Sequence, residues 1–287
     1  MNNAAEALVQ KRLLMGIAPV DAISQQDLRF PVRVDLETIS PHLSALHEGE
    51  YSHRQYALSN TPKGFSRHPS GRYSLHYYPT ASDQAQLRIY DLYRRYVPRR
   101  LLMPLVTIEE ILLSEQNQIQ NYLSQRIAYP LLYPGAAYPI HTRATGLRGR
   151  ILQNDMPLRW AFIEARSNTD SSLVVARARG DDRGEFLLHI PPSAVPDISL
   201  SESFTFDLSI WARPQPLVPV PQDVASIDPY WDAPIEIVID PLPDDSVSAG
   251  IAIPDDYVQS QTIESVNFQL SRMLNSHEVN DIVFNPP

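Results

Sequence analysis

The chain has 287 residues, a net charge of −9 and no cysteine, and carries 26 prolines against 10 glycines. An apolar fraction of 43% supports a real core and argues against wholesale disorder, while the acidic balance disfavours a nucleic-acid role. Proline at this density excludes long helices and a doubly wound parallel sheet, because each proline removes a backbone donor and fixes φ; without cysteine there is no disulfide or thiolate chemistry.

Residues 2 to 15 have the composition of a short helix, which Pro19 ends, so residues 1–20 read as an N-terminal helix or arm. Lys11 and Arg12 precede only the short run Leu13-Leu14-Met15, too brief for a signal core, and no apolar run approaches the roughly 20 residues of a membrane helix. These features predict assembly in the cytoplasm, with a virion or extracellular particle as the destination after release. Residues 21–106 read as a first β-domain. Phe30 to Glu37 and Gln86 to Asp91 alternate apolar and polar residues, the two-residue period of a half-buried strand, and Tyr93 to Leu105 is an extended piece broken by two prolines. Between them, His42, His47, His53, Glu48 and Glu50 match no paired-histidine spacing, so a hydrophilic loop is favoured over a metal site.

Residues 107–142 read as a helix and a stiff linker. Thr107 to Ala128 holds no proline or glycine, with Thr107 as cap and Glu109 and Glu110 suited to the helix dipole, although the polar run Glu115 to Asn121 marks a place where the helix breaks or is exposed. Three Tyr-Pro pairs follow, from Tyr129 to Pro139. Residues 143–213 read as a second β-domain, with strands at Thr145–Leu152, Pro157–Arg166, Leu173–Arg179, Glu185–Ile190 and Ser203–Trp211 and turn signals between them. The remainder, 214–287, is proline-dense, holds one strand at Ile235–Ile239, and reads as an extended segment ending in an acidic arm.

One pattern recurs. Gly71-Arg72-Tyr73-Ser74-Leu75-His76 returns 113 positions later as Gly184-Glu185-Phe186-Leu187-Leu188-His189, a turn glycine feeding an aromatic-x-leucine strand. The fold class expected is therefore mainly β, with two antiparallel immunoglobulin-like or transthyretin-like sandwiches, joined by the helix and linker. The stretch Arg148-Gly149-Arg150-Ile151, Pro157 to Ile163, and Asp181-Asp182-Arg183-Gly184-Glu185-Phe186 resembles the carboxypeptidase regulatory-like (transthyretin-like) β-sandwich family, with Asp181 to Gly184 at a hairpin. Residues 30 to 105 look like a more divergent relative. The resemblance implies modules that are not enzymes, and their tandem arrangement is similar to accessory structural proteins of bacteriophage tails and contractile injection machines.

No catalytic constellation, metal site or cofactor site is predicted. Serines lie outside any Gly-x-Ser-x-Gly elbow, Gly146 to Gly149 lacks the lysine and spacing of a P-loop, and the aspartate pairs at 181, 244 and 255 read as turns rather than calcium loops. Two stretches stand out as candidate contact surfaces with other subunits, including copies of the chain. One is the basic, aromatic strip of Arg88, Tyr93, Arg94, Arg95, Tyr96, Arg99 and Arg100; the other is the acidic tail with Asp244, Asp245, Asp255 and Asp256. From Asp240 onward eight acidic residues face the single Arg272, so opposite charges allow head-to-tail association between copies or an intramolecular clasp equally well. A solvated charged face is the plain alternative for each stretch, and sheet packing for the tyrosines. The function expected is a structural subunit of a multi-protein particle, without nucleic-acid binding or membrane insertion; the alternative is a glycan- or cell-surface-binding module.

Overall fold

The computed structural model describes residues 13–37, 65–76, 84–117, 126–195, 203–214, 228–239, 245–261, 264–275 and 281–287. The fold is mainly β, in several sheets, with one α-helix among the described residues. The first half holds β1 (Leu13–Ile17), β2 (Val20–Asp21), β3 (Arg33–Leu36), β4 (Ser66–Arg67), β5 (Tyr73–His76), β6 (Gln84–Tyr90) and β7 (Arg99–Pro104). Helix α1 (Ile108–Gln116), β8 (Ile127–Ala128) and β9 (Leu131–Leu132) complete it. The second half holds β10 (Thr145–Gln153), β11 (Met156–Pro157), β12 (Phe162–Ser167), β13 (Val174–Arg179), β14 (Glu185–Ile190) and β15 (Ser203–Ala212). The last part of the chain adds β16 (Ile235–Ile237), β17 (Val258–Gln259), β18 (Glu264–Gln269), β19 (Met273–Asn275) and β20 (Ile282–Val283).

The two halves share part of a pairing scheme. β1 runs antiparallel to β5 and parallel to β8, as β10 runs antiparallel to β14 and parallel to β19. β6 lies between β3 and β7, antiparallel to both, as β15 lies between β12 and β18. Register agrees too: Gly16 stands opposite Ser74 and Ile127, and Arg148 stands opposite Leu187 and Asn275. Ser74 and Leu187 hold the same place in the sequence repeat, although the turns before them differ.

Two hydrophobic clusters fill the halves. In the first, Leu14, Ile17, Tyr73, Leu75, Leu87, Ile89, Leu101 and Met103 pack with Ile111 of α1. In the second, Leu147, Phe186, Leu188, Phe206 and Leu208 pack with Val266, Phe268, Leu274, Ile282 and Phe284. The strand alternation sends Phe186 and Leu188 inward and leaves Leu187 facing out, yet Leu187 is fully buried because it joins the first half's cluster. The halves are thereby packed on each other.

Several expectations change. Leu13–Ile17 is strand rather than helix, since Leu14, Met15 and Ile17 are all needed in the core; residues 1–12 lie outside the described residues. Helix α1 begins as expected, with Thr107 capping Glu110 and Glu110 returning to the Thr107 N–H, but Asn117 ends it, and Ile127–Ala128 is strand paired with β1. The Tyr-Pro stretch is core rather than linker: Leu132, Tyr133 and Tyr138 are buried. The acidic tail is no loose arm, for β17 and β18 extend the sheet of β15, and β19 and β20 pair along β10. Burying Phe268 alone contributes roughly 1.5–3 kcal/mol. Asp181 to Gly184 is a corner rather than a hairpin, because β13 and β14 belong to different sheets, whereas the turn at Gly71 joins the paired β4 and β5. Among the described residues, no helix is long and apolar enough to cross a membrane.

The two turn glycines both have positive φ, +83° at Gly71 and +72° at Gly184. A Cβ at Gly71 meets nothing within 4 Å, while one at Gly184 comes within 2.7 Å of the Ile151 carbonyl oxygen. Gly71→Ala should therefore lower stability by about 1 kcal/mol from the left-handed backbone alone. Gly184→Ala should cost at least about twice as much, because the sheet must also move. Denaturant unfolding of the two variants checks the ranking; equal losses would contradict it.

Candidate interaction surface and the ion-pair clasp beneath it

Successive residues of a strand point to opposite faces, so the Arg99-Arg100 pair sends one guanidinium through each side of the sheet β3–β6–β7–β16. On one face Arg100 lies opposite Arg88, a like-charge pair that is unfavourable unless carboxylates intervene. Glu37 does so, accepting from Arg88 Nε, from Gln86, and from Arg100 Nε and a terminal nitrogen at 3.1 and 2.9 Å. The fork of Arg88 donates to both oxygens of Asp228 at 2.8 Å, and Arg100 donates onward to the Ala233 carbonyl. Two guanidiniums and two carboxylates thus neutralise each other under the segment 228–233, where Tyr230 packs on Trp160 and Tyr90.

On the other face Glu236 of β16 lies between Arg99 of β7 and Arg179 of β13. Arg99 donates to its two oxygens at 2.9 and 2.8 Å, and Arg179 at 2.8 and 2.9 Å. Arg99 further donates to the carbonyls of Leu131 and Val247, and Arg179 lies over the rings of Phe162 and Tyr133. Burial alone would raise the Glu236 pKa, but the flanking guanidiniums of Arg179 and Arg99 hold it down to about 2. A third pair joins the halves at their turns: Arg94 donates to both oxygens of Asp182, at 2.6 and 3.1 Å. Arg94 takes a positive φ of 56° in a turn where the Asp91 carboxylate accepts the N–H groups of Tyr93 and Arg95, the pattern that Asp181 makes with Arg183 and Glu185 around Gly184.

The expected arginine-tyrosine strip is therefore not one surface. Arg88, Arg99 and Arg100 are buried in the clasp, and Tyr96 is buried because its hydroxyl, with that of Tyr138, donates to Asp21 Oδ2 at 2.7 Å. Burial and that bond to Asp21 raise both phenols, Tyr138 to about 12. These four cannot contact another chain in this fold. What remains outside is the tip Leu92-Tyr93, with Tyr93 73% exposed and Arg94 and Arg95 beneath it. The tip is held from below: Arg95 donates to Asp91 at 2.7 and 3.0 Å, and its guanidinium lies over both Tyr93 and Phe30, at 4.8 and 4.4 Å from the ring centroids. Burial opposes ionisation of Asp91, but the Arg95 bonds and two backbone N–H groups outweigh it and lower its pKa.

Of the acidic residues singled out in the tail, Asp245 accepts the Ser248 N–H at 2.6 Å and caps a turn, and Asp256 pairs with the exposed Arg213. Asp255 is exposed, and Asp244 lies outside the described residues. The carboxylates that bind the basic strip are Asp91 within it and Glu37, Asp182, Asp228 and Glu236 outside it, and the sequence marked none of these four as its partner. Glu236 had a signal: it sits in the buried phase of the apolar strand Ile235-Glu236-Ile237-Val238, where a charge requires a partner. Among the described residues no group of His, Asp and Glu could hold a metal; His42, His47 and His53 lie outside them.

Two hollows adjoin each other around Asp27 and Arg29. One of about 600 Å³ lies between Ile23, Tyr138, Ile140, Ile190 and Leu270, with His141 and His189 on its walls. The other, about 170 Å³, lies beside the Gly71 turn. Burial lowers the pKa of His189, so it is neutral at pH 7. No protein-family model, curated protein or solved structure matches the chain.

Removing the Glu236 charge leaves two buried guanidiniums without a counter-ion. Glu236→Gln should lower stability by about 3 kcal/mol at pH 7. Because the folded pKa lies below the ordinary 4.5, this contribution is complete above about 4.5 and is lost as pH falls toward about 2. The gap between the unfolding curves of the chain and of the variant should close across that window. A gap independent of pH would show that Glu236 is not held as a carboxylate.

Proposed function

We propose that the protein is a non-enzymatic structural subunit of a multi-protein particle, built as two copies of one β-sandwich plan. The observation that carries this reading is the Leu92-Tyr93 tip: two large apolar side chains displayed to solvent on a turn braced by Asp91, Arg95 and Phe30. Tyrosine and arginine dominate the energetic centres of protein interfaces, and a pre-ordered turn loses little entropy on binding. The clasp beneath favours the same role, since Glu236 and Asp182 tie the second half to the sheet that carries the tip. A bacteriophage tail or contractile injection system is the kind of particle to which the carboxypeptidase regulatory-like resemblance points. Its other subunits, including copies of this chain, are the partners in this reading, with assembly in the cytoplasm.

A second reading, glycan or cell-surface binding, draws on the same side chain, because the exposed face of the Tyr93 ring could stack on a sugar. The two readings separate experimentally. Leu92→Ser with Tyr93→Ala should leave stability within about 0.5 kcal/mol of the parent, as both residues are exposed. In the producing cell the double variant should drop out of the sedimenting particle fraction, read by quantitative immunoblot. Incorporation at the parent level would remove the support for the structural reading, and binding of the isolated chain to a glycan array, lost with Tyr93→Ala, would favour the second.

A further inference from the structure

Most of the described arginines are neutralised in ion pairs, but Arg29, Arg67, Arg72 and Arg143 make no ion pair with a described carboxylate. All four are exposed and line the two adjoining hollows, where Asp27 is the one carboxylate among the described residues of the walls. On a chain of net charge −9 this is a local inversion of sign. Between the guanidiniums the larger hollow carries an apolar patch of Ile23, Ile140, Ile190 and Leu270 beside the polar Gln26 and Ser271. A cationic rim over an apolar floor selects an extended ligand with carboxylates at its ends and apolar groups between them.

The chain itself contains such a segment. Ile239-Asp240-Pro241-Leu242-Pro243-Asp244-Asp245 sets carboxylates on both sides of Pro-Leu-Pro and contains no basic residue. Its prolines cannot donate to a ladder and favour an extended backbone, and Ile239 at its start is 86% exposed. Asp245 is engaged with the Ser248 N–H, and Asp240 and Asp244 are the other two carboxylates of the segment. We propose that the basic cleft accepts the segment Ile239–Asp245 of a second copy, with Asp240 and Asp244 against the guanidiniums of Arg29 and Arg143 and Leu242 against the apolar floor. The contact joins two different patches, so it is head-to-tail and repeats into a ring or a filament. It rests on the structural-subunit reading and names one partner within it.

Charge exchange tests this on the full chain. Sedimentation velocity should show self-association that weakens at high salt. Arg29→Glu with Arg143→Glu should weaken it about tenfold or more, and so should Asp240→Arg with Asp244→Arg. Each double variant alone should remain monomeric, and an equimolar mixture of the two should associate again, since the reversed charges match across copies. A synthetic peptide of Ile239–Asp245 should bind the full chain in fluorescence anisotropy and lose affinity for the Arg29→Glu, Arg143→Glu variant. A parent chain that stays monomeric overturns the proposal, as does a mixture that fails to associate while both variants unfold at the parent's denaturant midpoint. Peptide binding indifferent to Arg29 and Arg143 overturns the cleft as its site. If self-association fails while particle incorporation still depends on Tyr93, the contact alone falls and the structural reading stands. Association without any particle removes the structural reading instead.

Discussion

The buried carboxylate Glu236 ties the two halves of this chain together. It is only 5% exposed and lies between the guanidiniums of Arg99 and Arg179, one from each half of the molecule. Strand β16, which carries it, pairs with β7 through just three residues, a parallel ladder too short to be secure alone. Four charge-assisted hydrogen bonds supply what the ladder lacks. Desolvating these charges offsets much of their attraction, so the triad specifies which strand docks here more than it adds to stability. An apolar residue in place of Glu236 would leave both guanidiniums buried without a counter-ion.

The segment leading into β16 follows from the same constraint. To bring Ile235–Ile237 beside β7, residues 228–233 must cross the outer face of the sheet, where Arg88 and Arg100 already stand opposite each other. Asp228 supplies the second carboxylate that this arginine pair needs. Asp232 then binds Arg159 at 2.7 and 2.6 Å and accepts the Trp160 indole N–H, fastening the crossing to the second half. The basic strip and part of the acidic sequence thus meet inside one molecule, and the outside is left with a braced aromatic tip and a basic cleft whose arginines make no ion pair among the described residues.

The two halves use their shared pairing for different ends. Ser74 stays at the surface of its sheet, while Leu187, at the equivalent place, is buried by the other half. Similarly, glycine serves the turn at 184, where strand carbonyls leave no room for a side chain, whereas Arg94 accepts a positive φ in the turn at 91 and its side chain reaches Asp182.

Much of the β architecture was legible in the chain. Alternation marked β3, β6 and β12 to β15, Thr107 as cap with Glu109 and Glu110 behind it marked the start of α1, and the repeated glycine-aromatic pattern marked β5 and β14. These signals are local, because a strand's period of two and a helix's first turn are properties of a few consecutive residues. Even β18 carried its signal, with Val266 and Phe268 buried between polar neighbours, but proline density and acidity around it pointed to an arm. Which charges lie inside was not legible. Arg99 and Glu236 are 137 residues apart, and Arg88 and Asp228 are 140 apart. An arginine's sequence neighbours are the same whether it faces water or a buried carboxylate; only the tertiary fold decides which, because it alone sets the distance between them.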